Sequence, residues 1–185
     1  MRSVVEFLLF QLGWFGAVQA AAAGEPAWGV ALLALLLALH VARAPRPRRA
    51  LLFLVAVALL GTALDSVLER CGVLHYRPEG RLAAGVAPLW IGALWALFAS
   101  ALCGPLQWLR APLFGVRHLL AATFGAVGAC LSFLGAERLG AVTLARPLPA
   151  TLLAIGASWA VVTPALLAGA AALFPTSGAP RPRSR

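Results

Sequence analysis

Six long apolar runs alternate with short polar gaps along this chain, at residues 4–23, 28–42, 50–70, 86–108, 116–137 and 149–174, the last interrupted by Pro164. Each is near the length an α-helix needs to cross hydrocarbon, and the second is the shortest. Period-two alternation is absent and the runs exceed the length of barrel strands, so helices are the way left to satisfy the backbone in lipid. The pattern predicts an all-α, polytopic transmembrane bundle of about six helices joined by short loops. It forms one domain over residues 1–174. The remaining residues, 175–185, are rich in Pro, Arg and Ser, have nothing to bury, and are expected to form a disordered basic cytoplasmic tail.

Composition removes the soluble alternative, since 62% hydrophobic residues and a mean hydropathy of +0.90 exceed what a water-soluble domain carries. The net charge of +9 does not point to nucleic acid. Every basic residue is Arg, placed at the ends of apolar runs, which is the pattern of membrane anchoring and topology. Arg without Lys on an Ala/Leu-rich background is the usage of a GC-rich bacterial genome.

One set of gaps and ends carries Arg2, Arg43, Arg46, Arg48, Arg49, Arg110, Arg117, Arg181, Arg183 and Arg185. The other carries Arg70, Arg77, Arg81, Arg138 and Arg146, diluted by Glu69, Glu79 and Glu137. The asymmetry places both termini in the cytoplasm of a bacterial inner membrane. Val18-Gln19-Ala20 offers a competing reading of the first run as a cleaved signal peptide, but Glu6, Gln11, Trp14 and Phe15 interrupt it. Cys71, Cys103 and Cys130 are odd in number and lack metal-ligand spacing, and His40 and His118 have no second ligand near them, so no metal and no cofactor is expected.

The strongest chemical signal is Gly61-Thr62-Ala63-Leu64-Asp65-Ser66-Val67-Leu68-Glu69-Arg70. Asp65 and Glu69 are one helical turn apart and share a face, with Gly61 one turn further in. A carboxylate within a membrane survives by facing a bundle interior, a cation or water, which makes Asp65 the first candidate for a functional group. The structural alternative has Glu69 in the headgroup zone, paired with Arg70, Arg77 or Arg81, and Asp65 cross-linking helices. His75 and Tyr76 lie in the loop that follows; Trp90 and Trp95 begin the next helix, as an aromatic belt and packing residues or as the lining of a slot.

Segment five carries two small-residue stripes, Ala121, Gly125 and Ala129, and Gly128, Ser132, Ala136 and Gly140, and is expected to be the central packing helix. Its end brings Glu137 and Arg138 to the level of Glu69. Gln11, inside segment one, should hydrogen-bond to a neighbouring helix. No internal repeat is evident, which counts against the inverted-repeat plan of secondary transporters.

Phe10-Gln11-x-Gly13-Trp14-Phe15, Gly61 to Asp65, Pro88-x-Trp90-x-x-x-Leu94-Trp95-x-x-Phe98-Ala99 and Gly125-x-x-Gly128-x-x-x-Ser132 to Leu139-Gly140 together resemble a bacterial inner-membrane family, domain of unknown function 2878. The resemblance implies a small multi-helix membrane protein without an established activity, encoded near fatty-acid-modifying enzymes such as cyclopropane-synthase-like proteins. Glu69, Gly72, Tyr76 and Pro88-Leu89-Trp90 are also similar to part of the intramembrane carotenoid cyclases and hydratases.

Three functional classes follow. In the first, the protein assists or performs a step in membrane-lipid modification, fatty-acyl or isoprenoid, through a polar cluster near the outer leaflet. Asp65 then exchanges a proton, Glu69, Tyr76 and Glu137 orient it or the substrate, and Gln11, His75, Trp90 and Trp95 line the site. Its partners are membrane lipid and lipid-modifying enzymes. In the second, Asp65 carries the coupling proton of a small transporter or flippase-like permease. The third is a scaffold or assembly subunit that binds a partner helix through the small-residue stripes.

Overall fold

The structure is a computed structural model describing residues 2–110 and 115–174; the expected tail, 175–185, lies outside the described residues. Six α-helices follow in chain order, α1 (Arg2–Ala22), α2 (Pro26–Arg43), α3 (Pro47–Arg70), α4 (Leu89–Cys103), α5 (Val116–Leu139) and α6 (Leu148–Leu173). Two short strands interrupt them, β1 (Leu74–Tyr76) between α3 and α4 and β2 (Val142–Leu144) between α5 and α6. The fold is thus the all-α bundle expected from the apolar runs. Five of its helices are long and apolar enough to cross a membrane, and α4 is shorter.

Proline sets several starts. Pro26, Pro47 and Pro149 occupy the first or second position of α2, α3 and α6, where a missing N–H costs nothing. The outward faces are apolar: Leu8 and Leu12 on α1, Leu52 and Leu59 on α3, Leu119 and Leu131 on α5 are all exposed, as they should be where lipid is the solvent.

The run at 86–108 is not one helix. Helix α4 ends at Cys103, before Gly104 and Pro105, and a 3-10 turn at Gln107–Leu109 follows. Proline cannot continue the hydrogen-bond ladder, so apolarity outlasts the helix here. The short helix is also the central one, packed against α1, α2, α3 and α6 and burying Trp90, Ile91, Trp95, Leu97, Ala99 and Leu102 among others.

Helix α5, expected at the centre, lies mainly against α6. Only one of its stripes is a close seam. A Cβ on Gly125 would stand 2.2 Å from Thr163 Oγ1, whereas Gly128 has nothing within 4 Å. Small residues permit an approach without stating how many helices take it up.

The structure also reveals a repeat that the sequence does not make evident. Glu69-Arg70-Cys71-Gly72 closes α3 and Glu137-Arg138-Leu139-Gly140 closes α5. Both glycines are left-handed, at φ 70° and 88°. In each, an N–H five residues on reaches back to a helix carbonyl, Val73 to Leu68 at 2.9 Å and Ala141 to Ala136 at 3.0 Å, the Schellman way of ending a helix. Strands β1 and β2 then pair antiparallel, with Leu74 opposite Leu144, His75 opposite Thr143 and Tyr76 opposite Val142. His75 and Thr143 occupy equivalent places in the repeat, so the register is symmetric about their pair, as a local two-fold axis requires.

This pairing puts the α3–α4 and α5–α6 connections on one face of the bundle, here the hairpin face. The α1–α2 turn joins them, since a Cβ on Gly80 would come within 2.9 Å of Pro26. On the opposite, arginine-rich face, Arg110 donates to the carbonyls of Leu102 at 3.0 Å and Phe174 at 3.2 Å, tying the ends of α4 and α6 together.

Candidate functional site

Period two fixes what the strands present. Leu74, Tyr76, Val142 and Leu144 point into the bundle and are buried, while His75 and Thr143 face outward and are exposed. The strand pair therefore caps the interior with three aliphatic side chains and one phenol. Tyr76, the sole tyrosine of the chain, is 5% exposed and packs edge-on against Trp90, with ring centroids 5.8 Å apart.

Below it lies Asp65, 2% exposed and the chain's sole aspartate. Its Oδ2 accepts the indole N–H of Trp95 at 2.5 Å. Gly61 makes that bond possible, because Trp95 lies directly across it; a Cβ there would meet the indole at 2.0 Å. On its other side, Trp95 stacks on Trp159 of α6 at 4.3 Å and 19° between planes, and Phe98 stands edge-on to both rings.

Asp65 Oδ1 and Tyr76 Oη are both buried and, among the described residues, have no hydrogen-bond partner. The two groups are nonetheless close enough to interact. Burial first, and then the Asp65 carboxylate, push the Tyr76 phenol well above its ordinary value of 10.0, so it stays protonated. An O–H donor and a carboxyl oxygen thus lie beside one another beneath the hairpin, with no third group among the described residues holding either of them.

Glu69 does not join Asp65, although they share a helix face. One of its oxygens accepts the backbone N–H of Tyr76 at 3.1 Å, and the Arg81 guanidinium grips both oxygens, at 2.5 and 2.8 Å. Arg81 also donates to the Tyr76 carbonyl at 2.8 Å and to Val86. Of the three arginines open to Glu69 in the sequence, Arg81 is its ion-pair partner; Arg70 donates to Gly85 and Arg77 to Gly140. Ser66 fixes the rest of the loop by accepting the Ala87 N–H at 2.9 Å.

The structure thus brings Asp65, Tyr76, Trp90 and Trp95 together, with Glu69 behind Tyr76 rather than beside Asp65. Glu137 does not converge on them: it accepts the Leu144 N–H at 3.0 Å and pairs with Arg146. His75 is on the outer face of β1. Gln11 sits half-exposed on α1 and has no hydrogen-bond partner among the described residues, so the expected bond to a neighbouring helix is not made. Arg81 and Trp159 are the members sequence reasoning missed. Arg81 read as one interfacial charge among several; the place of Trp159, far from either end of α6, was a signal that its indole serves the interior.

A family model described as protein of unknown function (DUF2878) matches residues 3–165, and the chain belongs to that family. No characterised protein and no solved structure matches significantly. The likeness to carotenoid cyclases consequently rests on Glu69, Gly72, Tyr76 and Pro88 to Trp90 alone, of which Glu69 and Gly72 serve here to end a helix and hold a strand.

Proposed function

We propose, from the site itself since the family assigns no activity, that this protein acts on membrane lipid at its hairpin face, through proton exchange between Asp65, Tyr76 and a polar group of the lipid. One observation carries the reading: two buried oxygens, Asp65 Oδ1 and Tyr76 Oη, beside one another and held by no third group among the described residues. A hydroxyl matches the pair, since it accepts from a phenol and donates to a carboxylate. Trp90 and Trp95 supply the apolar wall along which an acyl or isoprenoid chain lies.

The packing beneath the site favours this class over a proton-coupled permease. Between Asp65 and the arginine-rich face, Val57, Leu54 and Phe53 of α3 and Ala99 and Leu102 of α4 are buried, Phe53 packs on Phe174, and Arg110 closes the helix ends. A transported group needs a way through that floor. The arginine bias puts the floor on the cytoplasmic side and the site toward the outer leaflet of a bacterial inner membrane.

The test is lipid analysis of a deletion strain carrying wild type, Asp65→Asn or Tyr76→Phe. Deletion alters an acyl or isoprenoid lipid, wild type restores it, and Asp65→Asn slows restoration by about 10²- to 10⁴-fold, the usual contribution of a positioned acid or base. A deletion strain with an unchanged lipid profile overturns the proposal.

A further inference from the structure

Each half of the hairpin face carries a clamp of the same kind, although its arginine stands twelve residues after the glutamate in the first half and nine in the second. In the first half, Glu69 accepts the Tyr76 N–H and Arg81 donates both to Glu69 and to the Tyr76 carbonyl. In the second, Glu137 accepts the Leu144 N–H and Arg146 donates both to Glu137 and to the Leu144 carbonyl. Tyr76 and Leu144 stand at equivalent places, each seven residues after its glutamate. One architecture therefore holds a phenol on one side and an aliphatic side chain on the other.

The two clamps differ in tightness. Arg81 approaches its partners at 2.5–2.8 Å with a side chain 19% exposed. Arg146 reaches its own at 3.3–3.4 Å and is 60% exposed. An exposed pair at that distance contributes little, whereas a bidentate, shielded guanidinium–carboxylate pair fixes geometry as well as energy.

The polar pair is also confined to one half. The place equivalent to Asp65, four residues before the glutamate, holds Phe133 in the second half, and the place equivalent to Tyr76 holds Leu144. Helix closure, strand and clamp all form in that half without a counterpart of the Asp65 carboxyl or of the phenol. Asp65 and Tyr76 are therefore not demanded by the shared architecture, while the glutamate, the arginine and the glycine are.

We infer that Glu69 and Arg81 are positioning residues: by gripping the Tyr76 backbone at both its N–H and its carbonyl, they hold the phenol against Asp65, and the Glu137–Arg146 clamp is their structural counterpart without a chemical task. The inference rests on the reading of Asp65 and Tyr76 as the working pair, and the second half supplies its internal control.

The experiment compares Arg81→Gln and Glu69→Gln with Arg146→Gln and Glu137→Gln. Two readouts are taken on folded protein: lipid restoration in the deletion strain, and nitration of purified protein by tetranitromethane, which reports on Tyr76 alone because the chain has no other tyrosine. Loosening the first clamp slows lipid restoration by about 100-fold, as an ångström-scale misplacement does, and opens Tyr76 to nitration. Loosening the second changes restoration by no more than about threefold, in keeping with an exposed ion pair, and leaves Tyr76 protected.

Should Arg81→Gln fail to fold, Glu69→Gln, which keeps an oxygen for the Tyr76 N–H, provides the same comparison. Equal exposure of Tyr76 by both clamps, or by neither, overturns the inference. If the deletion strain shows no lipid change, the proposed function falls, and nitration still decides the clamp by itself.

Discussion

Adding one methyl group at Gly61 tests the geometry on which the site depends. The Cβ of Gly61→Ala would lie 2.0 Å from the base of the Trp95 indole, a part of the ring that no rotation of a flexible tip can clear. To restore ordinary contact near ~3.5 Å the indole must withdraw by about 1.5 Å. Trp159, stacked on its other side at 4.3 Å, opposes that movement.

Withdrawal lengthens the 2.5 Å bond to Asp65 past any hydrogen-bonding distance. Overpacking of this kind costs about 1–3 kcal/mol. Loss of an interhelical hydrogen bond within a membrane adds about 0.6–1.7 kcal/mol. Together they give a destabilisation of about 2–5 kcal/mol, to be measured by denaturant unfolding in mild detergent with tryptophan fluorescence as the probe.

Gly128→Ala is the control, because nothing lies within 4 Å of its Cβ, and should be neutral or stabilising by up to ~1 kcal/mol. Shrinking the indole in the Gly61→Ala background, by Trp95→Val, should recover the overpacking part, so the two substitutions couple by about 1–3 kcal/mol. Additivity within about 0.5 kcal/mol would show that Trp95 does not lie across Gly61.

Three further outcomes follow from the same geometry. Trp95→Phe keeps an aromatic ring against Trp159 but removes the N–H that Asp65 accepts; it should cost about 1–2 kcal/mol in the same unfolding assay, and an unchanged midpoint would remove that hydrogen bond from the account. Tyr76 should show no tyrosinate absorbance at pH 10, where a free phenol is half ionised, because burial and then Asp65 raise its pKa in the fold. The folded chain then holds a proton that the unfolded chain releases near 10, so this contribution to stability is complete below that pH and is lost as pH climbs toward the folded value; half-ionisation at pH 10 in the native protein would contradict the burial. Cys71, exposed at the hairpin face, should react with an impermeant maleimide added to intact cells, and labelling that needs lysis would invert the orientation expected from the arginine bias.

The helices were legible because lipid imposes a simple rule on sequence, namely length and apolarity. That rule failed at α4 because apolarity continues past Cys103 through Leu106, Trp108 and Leu109, where Pro105 has already ended the helix. Asp65 stood out as the deeper of the two acids in its apolar run. Its link to Trp95 was not legible, since two residues on different helices carry no mark of their pairing until the crossing at Gly61 is known. Glu69 and Glu137 looked like one cluster because both end helices on one face; the i+7 bonds that draw each to its own strand arise from the Schellman turns at Gly72 and Gly140, a local geometry that counting charges per loop does not register. The repeat escaped notice for a related reason: it is confined to a few residues around those turns and breaks down along the helices, where lipid accepts any apolar side chain.

The shortness of α4 sets a condition on the backbone around it. Fifteen residues rise only about 22 Å, less than the ~30 Å of hydrocarbon, so the bundle's central helix stops short of at least one interface. Non-helical backbone can occupy the gap only where protein surrounds it, because each open N–H or carbonyl in lipid costs several kcal/mol. On the hairpin face the loop meets that condition group by group: the Ala87 N–H goes to Ser66, the Leu89 N–H to Gly80, the Val86 carbonyl to Arg81 and the Gly85 carbonyl to Arg70. Arg81 therefore serves twice, satisfying the loop at Val86 and gripping the strand that carries the phenol into the bundle.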